Sequence, residues 1–157
     1  MADVRLRPYR PGDAEAMYAL DILCFEPAFR FSRRAMRGFA EAEDAVTVLA
    51  EAEAELVGFC IVQMEQQLSY VVTLDVAPAW RRHGLARRLM TEVETKVRAA
   101  GGTAMALHVF TGNAAAIRFY EVIGFSQTGI AKGFYGHGRD ALVYEKDLMT
   151  RCLGSYS

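Results

Sequence analysis

The apolar run Tyr70 to Ala77 stops at Pro78, passes through the basic turn Trp80-Arg81-Arg82-His83-Gly84, and enters a helical pattern at Leu85. Alternation from Leu68 to Val76 reads as a strand that places Leu68, Tyr70, Val72 and Leu74 on one face. Beyond the turn, Leu85, Leu89, Val93 and Val97 form an apolar stripe, with Ala86 and Met90 beside it. Glu92/Lys96 and Glu94/Arg98 read as helix-stabilising pairs on the outer side, and Gly101-Gly102 closes the helix. Ala104 to Phe110 is the next β-rich run. A strand, a crossover helix and a second strand call for parallel pairing, because a hairpin has no room for the helix.

The flanking segments argue for hairpins around this unit. Val4 to Arg7 is a short strand closed by Pro8, and Pro11-Gly12-Asp13 opens a helix to about Phe25. Ser32 can cap a second helix with Ala35, Met36 and Phe39 on its inner face. Ala45 to Glu51 and Leu56 to Met64 read as two strands joined by a short turn. Asn113 can cap a helix that Gly124 ends, and Phe125 to Ala131 and Ala141 to Asp147 are the last strands. The expected fold class is α/β, one mixed sheet with helices on both faces.

Composition narrows the partners. The 157 residues suit a single domain spanning 1–157, with no repeat or linker to divide it. A net charge of -1 argues against a large nucleic-acid footprint. Arg30, Arg33, Arg34 and Arg37 form a local basic cluster that reads as a solvated helix face. Cys24, Cys60 and Cys152 are widely spaced, without metal-ligand spacing, and read as free thiols in a reducing compartment. No apolar stretch is long enough for a membrane span, and no signal segment precedes the first strand. A cytoplasmic protein without metal or membrane is expected.

A strand, a basic glycine turn and a helix start together suit a phosphate-bearing ligand. The turn's N–H groups and the helix dipole favour an anion there, and Arg81, Arg82 and His83 add charge. The glycine patterns of a P-loop and of a dinucleotide-binding turn are both missing. Taken alone, the turn is equally compatible with an ordinary helix start that carries arginines.

A second motif lies about thirty residues on: Asn113-Ala114-Ala115-Ala116-Ile117-Arg118-Phe119-Tyr120-Glu121-Val122-Ile123-Gly124-Phe125. Together with Arg81-x-x-Gly84-x-Ala86 it resembles the two core motifs of the GNAT family, the Gcn5-related N-acetyltransferases. Within that family the chain is most similar to the branch that acetylates protein N-termini, including the ribosomal-protein alanine enzymes. The resemblance implies acetyl-CoA as cosubstrate and direct attack of an amine on its thioester carbon. It implies that Arg81, Arg82, His83, Gly84, Leu85 and Ala86 hold the pyrophosphate. The backbone of Leu74, Asp75 and Val76 is expected along the pantetheine arm, at a bulge where the strands part, and Asn113 and Tyr120 near the cofactor. It implies Tyr120 as the acid for the leaving thiolate; an amphipathic-helix tyrosine is otherwise a core aromatic.

Two residues are candidates for proton removal. His108 lies opposite Leu107 and Val109 on its strand, where many ribosomal-alanine-type enzymes carry Glu. It resembles instead a branch with Leu-His-Val and a histidine base. Tyr70 matches that branch's second catalytic residue. Packing roles are the alternatives for both, and water is a third route.

Two loops are expected to wall the acceptor, which is a protein N-terminus or, alternatively, a small amine. One is 25–31, with Phe25, Pro27 and Phe29; the other is 133–140, with Tyr135. Phe25-Glu26-Pro27-Ala28 departs from the family's usual sequence in the first loop. A non-catalytic acetyl-CoA-binding module is the third reading. A monomer or homodimer is expected by analogy with relatives.

Overall fold

A computed structural model describes residues 3–149. Its strands are β1 (Val4–Pro8), β2 (Ala45–Ala52), β3 (Glu55–Glu65), β4 (Leu68–Val76), β5 (Ala104–Phe110), β6 (Ser126–Ala131) and β7 (Ala141–Asp147). The helices are α1 (Ala14–Cys24), α2 (Arg33–Glu41), α3 (Leu85–Ala99) and α4 (Ala114–Val122). The strands form one sheet in the order β1-β2-β3-β4-β5-β7-β6, in which β4 and β5 pair parallel and the other neighbours antiparallel. The expected element order and mixed sheet are both present.

Each sheet face carries its own core. Leu85, Leu89, Val93 and Val97 of α3 and Tyr120 of α4 pack with Val48, Val62, Val71, Leu107 and Val109. Met17 and Leu20 of α1 and Met36 and Ala40 of α2 pack with Leu49, Phe59 and Ile61 on the other face. Ser32 Oγ accepts the Ala35 N–H at 3.0 Å, and Asn113 Oδ1 accepts the Ala116 N–H at 3.1 Å, so both caps form as expected.

Two expectations are corrected. Leu74 does not share a face with Val72. The β3–β4 register shifts between Ile61 and Val62, leaving Val72 as an extra residue. That bulge turns Leu74 toward the α3 core, while Val72 faces the α1/α2 core. Glu94 is not on the outer side of α3 either. It is buried, and both its oxygens accept from Lys146 Nζ of β7 at 3.0 Å. Its bond with Arg98, at 3.4 Å, is present as expected.

Gly58 of β3 sets how closely α3 approaches. A Cβ there would lie 3.0 Å from the Asp75 carbonyl oxygen, 3.2 Å from Leu89 Cδ1 and 3.3 Å from Leu85 Cδ2. Gly58→Ala is therefore expected to destabilise the fold by about 1–3 kcal/mol through overpacking. Urea unfolding checks this, as a lowered midpoint at unchanged slope.

Candidate active site

The parallel pairing of β4 and β5 lasts only from Leu68/Ala104 to Tyr70/Ala106. Beyond Tyr70 the two strands part. From Leu74 to Val76, β4 keeps its pairing with β3, and no strand pairs with its other edge, which opens the sheet into a cleft between β4 and β5. The bulge at Val72 lies where the parting begins.

The turn 81–84 sits at the far end of β4. Arg82 and Gly84 both adopt left-handed backbone, at φ 65° and 79°. The first helical bond outside the α3 interior is Arg88 N–H to the Gly84 carbonyl, at 3.1 Å. The N–H groups of residues 82–87 therefore have no partner among the described residues. A curl of free N–H groups at the start of α3 is an anion cradle. The side chains of Arg82 and His83 are exposed beside it. Arg81 is placed differently: its guanidinium donates to the carbonyls of Val76, at 3.1 Å, and Cys24, at 3.5 Å. It clamps the end of β4 to the end of α1.

Tyr70 and His108 meet on the α1/α2 face of the cleft. The Tyr70 hydroxyl lies 2.8 Å from His108 Nδ1. Phe134 stacks on the imidazole with centroids 3.9 Å apart and planes within 3°. The Tyr135 hydroxyl donates to the His108 carbonyl at 3.2 Å, and the Tyr135 ring meets Phe29 edge-on at 5.1 Å. Phe29 also touches Phe110 at 4.9 Å. Burial lowers the His108 imidazole below its usual range, raises the Tyr70 phenol, and pushes Tyr135 up to about 12. His108 is thus neutral at pH 7 and can accept a proton.

Tyr120 reaches the same cleft from the opposite face. Its ring packs against Phe119 and Phe125. Its hydroxyl has no hydrogen-bond partner among the described residues, yet it is not one of the sealed polar atoms. Burial, followed by the charges of Cys60, Tyr135, Asp75 and Tyr70, drives the phenol far above its ordinary range. It remains a proton donor throughout the physiological pH range.

The aromatic loop 133–140 is held as a unit. The Asp140 carboxylate accepts the Gly133 N–H at 2.8 Å, and its carbonyl accepts the Thr111 N–H at 3.1 Å. The structure thus brings Tyr70, His108, Tyr135 and Phe29 together. Phe25 is half-buried outside the ring cluster, and Pro27 is exposed in the short 3-10 turn Pro27–Phe29. Phe110 and Phe134 were not singled out from the sequence. Phe110 could have been, since it stands two residues beyond His108 and shares its face.

Cys24 and Cys60 are free, and Cys152 lies outside the described residues. Among the described residues no cluster of three His, Cys, Asp or Glu side chains could hold a metal ion. No described helix is long and apolar enough to cross a membrane.

Comparison with known proteins identifies the family. The acetyltransferase (GNAT) family model matches residues 14–125, and the chain belongs to that family. The chain is 31% identical over 111 residues to the N-terminal acetyltransferase A complex catalytic subunit ard1 of Schizosaccharomyces pombe. That match takes in 66% of this chain but only 63% of the subunit. It is 28% identical over 120 residues to the [ribosomal protein bS18]-alanine N-acetyltransferase of Salmonella typhimurium, covering 74% of this chain and 80% of that enzyme. Arabidopsis thaliana NAA60, solved in complex with acetyl-CoA, superposes with a TM-score of 0.81 at 23% identity, covering 94% of this chain and 99% of the other.

Proposed function

We propose that this enzyme transfers the acetyl group of acetyl-CoA to the N-terminal α-amine of a protein. The carrying observation is the Tyr70–His108 hydrogen bond, set in a wall of aromatic rings at the point where β4 and β5 part.

The residues divide the work between the two faces of the cleft. The N–H groups of 82–87 hold the pyrophosphate, with Arg82 and His83 adding charge and Leu85 and Ala86 opening the helix, and Asn113, the cap of α4, also contributes to the cofactor site. Arg81 acts through the clamp that fixes β4. The open edge of Leu74, Asp75 and Val76 lies along the pantetheine arm. The amine nitrogen attacks the thioester carbon; an N–C bond forms and the C–S bond breaks. Tyr70 takes the proton released by the nitrogen as its own proton passes to His108 Nδ1. Tyr120 donates to the departing thiolate sulfur. An α-amine, with a pKa near 8, is partly neutral at pH 7, so a neutral imidazole suffices for it; a lysine, near 10.4, demands more. The free thiols of Cys24 and Cys60 support a reducing, cytoplasmic setting.

The test is an acceptor panel read by mass spectrometry: peptides with free α-amines, the same peptides blocked at the α-amine with lysines free, and common small amines. Acetylation confined to free α-amines is expected. Acetylation of a small amine or a lysine alone assigns the enzyme to a different acceptor and refutes the peptide reading.

A further inference from the structure

Beneath the aromatic site two aspartates are buried with no solvent contact. Asp75 of β4 and Asp21 of α1 are each 0% exposed. Asp75 Oδ1 accepts from Thr73 Oγ1 at 2.5 Å, and Asp21 Oδ2 accepts the Phe31 N–H at 2.9 Å. The remaining oxygens, Asp75 Oδ2 and Asp21 Oδ1, are sealed and have no hydrogen-bond donor. The two carboxyls are close enough to act strongly on each other. Two ionised carboxylates side by side in such a place are strongly disfavoured, because the Thr73 hydroxyl and the Phe31 N–H serve only one oxygen of each and leave the other two bare.

We propose that Asp21 and Asp75 share one proton, and that this acid–carboxylate pair is the positioning element that seats the acceptor loop 25–31 against the sheet. Asp75 belongs to the strand that carries Tyr70, and Asp21 holds Phe31 at the end of the loop. Phe29, within that loop, packs on Phe110 and Tyr135 around His108. A single proton therefore joins the catalytic strand to the acceptor wall. The groups facing the pair do not replace that proton. Burial raises the Cys24 thiol of α1 to about 11, and the Cys60 thiol of β3 and the Tyr120 phenol of α4 further still, so all three are neutral at pH 7. Thr73 is already engaged, and Arg81, bonded to the Val76 and Cys24 carbonyls, lowers the Asp75 carboxyl through its charge by less than burial and Asp21 raise it. Burial first, and Asp21 second, lift the Asp75 carboxyl well above the usual carboxylate range. A raised folded-state value places the pair's contribution to stability below the ordinary carboxylate pKa. That contribution is lost as pH climbs through the folded-state value.

The loop's role as acceptor wall rests on the proposed function; the shared proton does not. The experiment separates the two, using the full chain with carboxyl-labelled aspartate in NMR titrations and steady-state kinetics on whichever amine the enzyme accepts. The wild type is expected to show an aspartate carboxyl titrating above the ordinary range, moving down in Asp21→Asn. Expressed per neutral amine, the acceptor KM is expected to rise about tenfold as pH passes that value, with kcat little changed, and to stay flat in Asp21→Asn, whose amide donates to Asp75 without a shared proton. Asp21→Ala, which loses the Phe31 anchor, should raise the acceptor KM at every pH with acetyl-CoA affinity retained. If Asp21→Ala does not fold, the Asn variant carries the comparison. Ordinary titration of all aspartates overturns the shared proton, whatever the acceptor. A high-titrating carboxyl with a pH-independent acceptor KM overturns the positioning role.

Discussion

Gly84→Glu is expected to remove acetyl-CoA binding while leaving the fold intact. A carboxylate about 4 Å from a diphosphate costs on the order of 4 kcal/mol near a protein surface. That repulsion weakens the Kd on the order of 10³-fold. Gly84 sits at φ 79°, where a side chain costs about 1–2 kcal/mol of stability, a cost met by the free and the bound protein alike. The same carboxylate at the start of α3 is favourable for the helix, so the loss is not one of folding. Gly84→Ala is the control, since a Cβ there meets nothing within 4 Å and only the backbone term remains. Calorimetric titration of both variants with acetyl-CoA checks the prediction. Near-native affinity in the Glu variant would remove the turn from the cofactor site.

His108→Ala is expected to lower kcat by about 10²-fold at pH 7, with acetyl-CoA affinity unchanged. The pH profile carries the diagnostic sign. Burial lowers the His108 value below its usual range, so the wild-type imidazole accepts a proton at pH 7 and loses that capacity only in more acidic solution. In the kcat profile, the variant should lack this acidic limb. A variant as active as wild type at neutral pH places the base elsewhere.

The parts that were legible in the sequence are those set by local periodicity. The α3 stripe and the Ser32 and Asn113 caps depend on residues close together in the chain, and the parallel β4–β5 unit on the strand–helix–strand order. The parity of the β5 alternation also sufficed to set His108 opposite Leu107 and Val109. What was not legible depends on residues distant in sequence. The bulge at Val72 is visible only against β3, and without it strict alternation misplaces Leu74. Glu94 reads as a surface partner of Arg98 until Lys146, 52 residues away, arrives beneath it. The contact of Arg81 with the Cys24 carbonyl joins residues 57 apart and is likewise invisible in the turn's own sequence. The stacking of Phe134 on His108 and the meeting of Asp21 with Asp75 have the same origin. Each joins two segments whose separate patterns are unremarkable.

The parting of β4 from β5 means that the sheet is two sheets along much of its length, β1 to β4 and β5-β7-β6, sewn together at one end. The missing seam runs along the strand edge assigned to the pantetheine arm. A cosubstrate lying there would act as a temporary strand and lend the enzyme the continuity that its own backbone omits. Rigidity in this protein would then be partly borrowed, and its supply would follow the cell's stock of acetyl groups.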